Sequence, residues 1–471
     1  MVFNSLEFAV FLPVVLLVYW RLSHKSQNRM LLVASYLFYG WWDYRFLSLL
    51  LISTSIDYFV GLRLDETDDE KRRKFLLLAS VVANLGILGF FKYFNFFVDS
   101  AAELMKTLGL NPDAPTLRII LPVGISFYTF QSMSYGFDVY RRRIPATKNF
   151  FDFALFVAYF PQLVAGPIER AQNLMPQIVR PRVRPERKQV ASALVLILLG
   201  LFKKVAIADV MAPIADAAFN APSGSSSVTL LVGLYAFALQ IYGDFSGYTD
   251  IGRGASRLMG IELMENFNQP YLSRNITSFW RTWHISLSNW LHDYLYIPLG
   301  GNRKGRFNTY RNLMIVMLLG GLWHGAAWTF VIWGGLHGIY LSVHRAFGKY
   351  APRGYQGRFN FRRDFLSVLI TFHLVVFAWV FFRAESVAGA LSYLDGLFSL
   401  QPGFTNRDHL VLFAGAALCI VLLDIAQRNA AQHEVTLQWQ PVWQGIAYGS
   451  LLLALIVFSG GALTPFIYFQ F

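Results

Sequence analysis

Apolar residues gather into eleven stretches, 6–20, 30–42, 46–62, 75–98, 119–140, 191–211, 228–242, 312–343, 365–382, 409–425 and 442–458. A helix needs roughly 20 apolar residues to cross the hydrocarbon core. The longer stretches therefore predict spanning helices, and the shorter ones predict helices packed inside the bundle or tilted little. Residues 1–20 contain Glu7 and show neither a basic leader nor a small-residue cleavage site, so the pattern predicts a retained first helix. The stretch 312–343 is too short for two full spans with a turn between its flanking arginines, Arg311 and Arg345. It predicts a hairpin with His324 near the tip, about 20 Å along a helix from Arg311.

Residues 275–299, "NITSFWRTWHISLSNWLHDYLYIPL", follow a different pattern. Apolar side chains recur at helical spacing from Ile276 to Leu295, with Arg281, Ser288, Asn289 and His292 among the polar remainder. The spacing predicts an amphipathic helix at the membrane interface, started by Ser273 or Asn275 and anchored by tryptophans. It also places His284 on the apolar stripe, one turn from Trp280, with its ring toward the bundle.

Charge orients these elements. Lys and Arg number three in 21–29, five in 63–74, four in 141–148, five in 180–188 and six in 345–363. One each occurs in 43–45, 99–117 and 384–408, and none in 212–227. The positive-inside rule assigns the basic set to the cytoplasm. The alternation holds if 150–170, with its "AGPIER" turn, enters the membrane and returns to the side it left, which requires that it be enclosed by protein. Composition agrees: 55% of residues are hydrophobic and 15% charged, and the mean hydropathy is +0.42. This is an all-α polytopic membrane protein, read as one domain over residues 1–471. The net charge of +13 lies in short clusters between apolar segments, which argues against a nucleic-acid face. Cys419 is the single cysteine, so neither a disulfide framework nor a thiolate metal site is available.

Ionisable residues deep in a membrane are functional candidates. In "GGLWHGAAW", residues 320–328, His324 stands among glycines and alanines that let another backbone or a thin ligand approach the ring. His284 is the second such residue, and a pairing of the two would turn a core histidine into a site residue. "YGDFSGYTD", residues 242–250, brings Asp244 and Asp250 to the end of an apolar stretch, with Arg253 beyond. Asp244 there either caps a helix beginning near Ser246 or binds substrate. His337, His344 and His373 lack a partner at ligand spacing. No HExxH, CxxC, GxSxG or Walker pattern occurs.

The blocks "LPVGISFYTFQSMSY", "AGPIER", "QIYGDFSGYTDI", "ENFNQPYLSRNITSFWRTWHISLSNWLHDYLYIPLGGNRKG", "NTYRNLMIVMLLGGLWHGAAWTFVIWGGLHG" and "PFIYFQF" together resemble the membrane-bound O-acyltransferases. The likeness is to the bacterial branch that O-acetylates alginate and other exported polysaccharides. It implies a bundle of about eleven transmembrane helices, with re-entrant and interfacial helices around a central channel, and a catalytic core at 275–345. It implies His324 as the essential histidine and places the family's second polar position on His284. Together with the charge pattern, it suggests a substrate-binding set of Asp244, Arg281, Asn302, Arg303 and Trp323, with the donor entering beside Asn302 and Arg303 at the basic loop Arg303 to Arg306. No cofactor is held permanently, and the donor is acetyl-CoA or an acyl carrier protein thioester. The acceptor is an exported polysaccharide or an extracytoplasmic partner acyltransferase, reached from a bacterial inner membrane. D-alanyl transfer and peptidoglycan O-acylation are close variants. His324 acts as a general base or through a covalent acyl-histidine. From another class, a secondary transporter or polysaccharide-export channel would use His324 as a proton relay.

Overall fold

The computed structural model describes residues 1–110, 119–163, 166–348, 359–403, 405–460 and 465–469, which are helical with no strand among them. In hydrocarbon every backbone donor and acceptor has to be satisfied within the chain, and a helix does this locally. The chain divides into two compact units, Met1–Glu186 with Ser256–Leu263, and Arg187–Ala255 with Met264–Phe471. Among the described residues, seven helical runs are long and apolar enough to cross a membrane: His24–Glu66, Glu70–Thr107, Arg187–Asn220, Ser227–Leu258, Phe361–Arg383, Arg407–Ala430 and Pro441–Phe458. The first of these joins two stretches that the sequence pattern separates.

The first unit carries α1 (Leu6–Tyr19), α2 (His24–Asp43), α3 (Leu47–Glu66), α4 (Glu70–Leu88) and α5 (Phe94–Thr107). After these come α6 (Ile125–Tyr140), α7 (Phe150–Ala158), α8 (Phe160–Leu163) and α9 (Ala171–Val179). Ser5 starts α1 by accepting from the Phe8 amide. Residues 153–163, which form most of α7 and all of α8, are buried without interruption. Two short helices enclosed by protein are what a re-entrant segment requires.

The second unit begins with α10 (Arg187–Leu201), which continues through a π-helical segment, Phe202–Ala208, into α11 (Asp209–Asn220). Then comes α12 (Ser227–Leu258), a single helix of 32 residues. Sequence pattern ended this element near Tyr242 and allowed Asp244 to cap a new one, but Asp244 lies inside the helix. Its charge is tolerated because Lys204 Nζ is 2.9 Å from Oδ1. Lys203 likewise meets Asp250 at 2.7 Å. Four nearly buried charges thereby neutralise one another, as groups in low dielectric must. Small residues bring the backbones together here: a Cβ on Gly200 would lie 2.5 Å from the Gly247 carbonyl oxygen.

Next are α13 (Ile276–Thr282), α14 (Ile285–Leu291), α15 (Gly305–His324) and α16 (Trp328–Ala346). The second unit closes with α17 (Phe361–Arg383), α18 (Val387–Phe398), α19 (Arg407–Ala430) and α20 (Pro441–Phe458). Asn275 starts α13 by accepting from the Ser278 amide at 2.8 Å. The continuous amphipathic helix expected over 275–299 is broken at Trp283 and His284, and ends in a π-helical turn, His292–Tyr296. The expected hairpin is present, but α15 starts at Gly305, so Arg311 lies inside a helix and not in a loop. With 20 and 19 residues, its arms are each roughly 30 Å long at 1.5 Å per residue, about the thickness of the hydrocarbon core.

Candidate functional site

His324 is the last residue of α15, with the hairpin turn immediately beyond it. The arms pack closely because a Cβ on Gly321 would lie 2.2 Å from the Phe330 carbonyl oxygen, and one on Gly334 2.2 Å from that of Met317. Only glycine permits that approach. The imidazole is 3% exposed and sits in an aromatic enclosure. Ring centroids lie 5.0 Å away for Trp323, 5.1 Å for Trp333, 5.3 Å for Phe382 and 5.6 Å for Tyr468. The Trp333 ring meets it edge-on at 89°, the geometry that aromatic quadrupoles favour.

His284 is completely buried, and its ring centroid lies 6.3 Å from that of His324. It occupies the break between α13 and α14 with φ of 42°, a left-handed conformation uncommon for a side chain of this size. Asn266 holds the corner from the strand of chain before α13. Its carbonyl oxygen accepts from the Ile285 amide at 2.9 Å. Its side-chain Oδ1 lies 3.1 Å from His284 Nδ1 and 2.9 Å from Ser286 Oγ. His284 is outside the seven spans, and burial pushes its imidazole down to about 3, so the ring is neutral at ordinary pH.

A cavity of about 250 Å³ has His324 in its lining. One wall runs along α15 through Gly320, Met317, Val316 and Leu313, and the opposite wall is Thr277, Trp280, Leu287, Ser288 and Leu291. Eleven residues of helix separate Leu313 from His324, roughly 16 Å at 1.5 Å per residue. His292, Tyr296 and Arg345 also line the cavity. The shape suits a narrow chain laid along the hairpin with its tip against an uncharged imidazole ring.

A family model for the membrane-bound O-acyltransferases matches residues 82–387. The chain belongs to that family. It is 43% identical to a probable alginate O-acetylase, AlgI, of Pseudomonas putida over the full length of both chains. A peptidoglycan O-acetyltransferase of Helicobacter pylori is 37% identical over all of this chain and 98% of its own. A teichoic acid D-alanyltransferase of Bacillus subtilis is 26% identical over 58% of this chain and 71% of its own. As a membrane-bound O-acyltransferase, the protein is a multi-pass membrane enzyme of acyl transfer.

Within this acyltransferase the residues singled out from sequence separate into two groups. His324, His284 and Trp323 come together, with Trp323 5.9 Å from His284 as well as 5.0 Å from His324. Asp244 faces the same region from behind: its Oδ2 accepts the Ile467 amide at 2.6 Å, fixing the segment that places Tyr468 against both histidines. It is thus an anchoring carboxylate, engaged by Lys204 and the backbone. Arg281, Asn302 and Arg303 are exposed and do not line the cavity. The polar and charged lining is supplied instead by His292, Tyr296 and Arg345. His337 is buried and accepts from Trp280 Nε1 at 3.3 Å, and His344 meets Thr277 Oγ1 at 2.9 Å. No metal-holding group of His, Cys, Asp or Glu occurs among the described residues.

Asn266 and Tyr468 were missed by sequence reasoning. Asn266 lies 18 positions from the ring it holds, beyond any helical period. Tyr468 sits in "PFIYFQF", a block that carried the family resemblance but nothing that singled out one of its aromatic residues.

Proposed function

We propose that this acyltransferase moves an acetyl group from a cytoplasmic thioester, acetyl-CoA or an acyl carrier protein thioester, toward hydroxyls of an exported polysaccharide. The polymer is acylated directly or through an extracytoplasmic partner acyltransferase, from a bacterial inner membrane, with no permanently bound cofactor. One observation carries this reading: a single cavity between α14 and the α15–α16 hairpin is lined both by the buried His324 and by the exposed Arg345. Arg345 begins the most basic inter-span segment, which the positive-inside rule assigns to the cytoplasm. The full-length likeness to an alginate O-acetylase supports a polysaccharide acceptor. That to a peptidoglycan O-acetyltransferase supports a glycan acceptor of the cell wall as the second reading.

In the proposed reaction the thioester arm lies along Val316, Met317 and Gly320 with its carbonyl carbon near His324. The neutral imidazole takes the proton of the acceptor hydroxyl as the oxygen attacks that carbon. The tetrahedral intermediate expels the thiolate, and the proton on His324 passes to the departing sulfur. The new ester leaves toward the other face, so the bulky nucleotide of the donor never crosses the membrane. His284 assists from 6.3 Å between ring centroids.

Purified protein in nanodiscs, supplied with acetyl-CoA and a soluble glycan, should consume thioester in step with ester formation. Glycan flux through sealed proteoliposomes without thioester consumption would overturn transfer in favour of an export channel. With donor on one face and acceptor on the other, sealed oriented proteoliposomes should still support transfer. A requirement for both on the same face would refute the cross-membrane route.

A further inference from the structure

The clasp around His284 determines which of its nitrogens carries the proton. The backbone N–H of Ser286 is a donor only, and it lies 3.2 Å from the Asn266 side-chain atom assigned as Oδ1. An amide NH2 turned into that place would set donor against donor, so the atom is the oxygen. The Ser286 hydroxyl, 2.9 Å from the same oxygen and 3.4 Å from His284 Nδ1, donates to the nearer acceptor. His284 Nδ1 is 3.1 Å from that oxygen. An unprotonated nitrogen there would face a lone pair with a lone pair in a fully buried place, where each unmet polar contact costs about 1–3 kcal/mol. The proton therefore sits on Nδ1, and the basic nitrogen of the ring is Nε2.

We propose that Asn266 is a positioning residue of the transfer reaction, holding His284 in the Nδ1–H tautomer so that Nε2 is presented as a proton or hydrogen-bond acceptor beside His324. This rests on the acyl-transfer reading and narrows it. A neutral ring with its only N–H committed to Asn266 cannot donate to an oxyanion forming at the thioester carbonyl. His284 instead receives a hydrogen bond, from the incoming hydroxyl or from the His324 imidazolium while that ring holds the proton bound for the leaving sulfur. The left-handed corner belongs to the same device: with Ile285 N–H on the Asn266 carbonyl and Ser286 N–H on its side chain, backbone and ring are locked by one residue. Titratable groups facing the His284 ring include His324 and Tyr468. Phe245, Phe267 and Trp323 are among its other ring neighbours. Glu265, next to Asn266 in the chain, is turned to Arg253 and His433.

The test uses the full chain with 15N-labelled histidine in nanodiscs, where nitrogen shifts distinguish the two neutral tautomers, and the His284→Asn spectrum assigns the signal. The parent should show a protonated Nδ1 and an unprotonated Nε2. Asn266→Ala should release the tautomer to a mixture and lower acetyl-CoA turnover on the order of 10- to 100-fold, toward the lower range for losing acid–base assistance. Asn266→Asp should keep the geometry and place a carboxylate against Nδ1–H, which favours the charged ring. The acid limb of its pH–rate profile should then move to higher pH by on the order of one unit. A residue that only braced the fold would lower recovery of both variants and leave the profile where it was. A parental Nε2–H signal would overturn the proposal, as would an Asn266→Ala protein with unchanged tautomer and turnover. If the parent consumes no acetyl-CoA, the transfer reading falls while the spectrum still decides the tautomer.

Discussion

The two histidines are fixed by opposite means. His324 is positioned by exclusion: glycines bring α15 and α16 together, and four aromatic rings at 5.0 to 5.6 Å leave the imidazole one place to be. His284 is positioned by hydrogen bonds, at a backbone corner that its own φ of 42° makes unfavourable and that Asn266 stabilises. The difference suits their proposed work. A base that takes up and releases a proton benefits from a ring held in place by the shape of its aromatic enclosure. An assisting ring of fixed tautomer benefits from a surround that commits one nitrogen completely.

The largest effect that would test this contrast is on transfer itself. His324→Ala should lower acetyl-CoA turnover by roughly 10²- to 10⁴-fold, the range for losing a general base. Its elution as a monodisperse detergent complex should match the parent, because the enclosure is built by other side chains. Near-parental turnover would remove His324 from the chemistry.

Steric positioning should also be the more brittle kind. Gly334→Val sets a branched side chain where even a Cβ would be 2.2 Å from the Met317 carbonyl oxygen. Overpacking of about 1–3 kcal/mol or more should appear as a lower thermal midpoint and poor recovery. Ser286→Ala, which removes one of several polar contacts at the other corner, should cost about 1 kcal/mol. If the two variants melt alike, the contrast is wrong.

His284→Asn separates ring from corner, since asparagine tolerates the left-handed region. Turnover should fall about 10-fold, toward the low side of acid–base effects, with the melting temperature nearly unchanged. Equal turnover with and without the imidazole would make His284 a packing residue.

The smallest effect belongs to the cavity mouth. Arg345→Gln should raise KM for acetyl-CoA a few-fold, and the difference should shrink as salt rises, because exposed charges are screened over about 8 Å at physiological ionic strength. Neutralising Arg303, Lys304 and Arg306 together should do less, since these residues do not line the cavity. A larger KM change from that triple variant would restore the donor entrance first read from the sequence.

What was legible in the sequence follows physical range. The hairpin was readable from the length of the apolar stretch between Arg311 and Arg345, although its first arm begins earlier, at Gly305. The length of α12 was hidden, because "YGDFSGYTD" looks like the end of a span until Lys203 and Lys204 are seen to neutralise it from another helix. The break at His284 carries no local signature: apolar residues continue at helical spacing across it, and the group that holds it open lies 18 positions upstream. Asn302 and Arg303 were assigned to substrate because they lie in a basic loop read as cytoplasmic, and they and Arg281 are exposed and line no part of the cavity. The placement of His324 and His284 side by side followed only from the resemblance, since no periodicity relates residues in separate elements.

The paired lysines also bear on how the protein is made. Lys204 has a counter-charge within its own segment, Asp209 at 2.7 Å, but Lys203 is synthesised 47 residues before its partner Asp250. A lysine without its counter-charge costs about 2.5–3.5 kcal/mol at a helix centre. The arrival of α12 with Asp250 removes that cost, so α10–α11 gains its full stability in lipid only after the later helix has followed it.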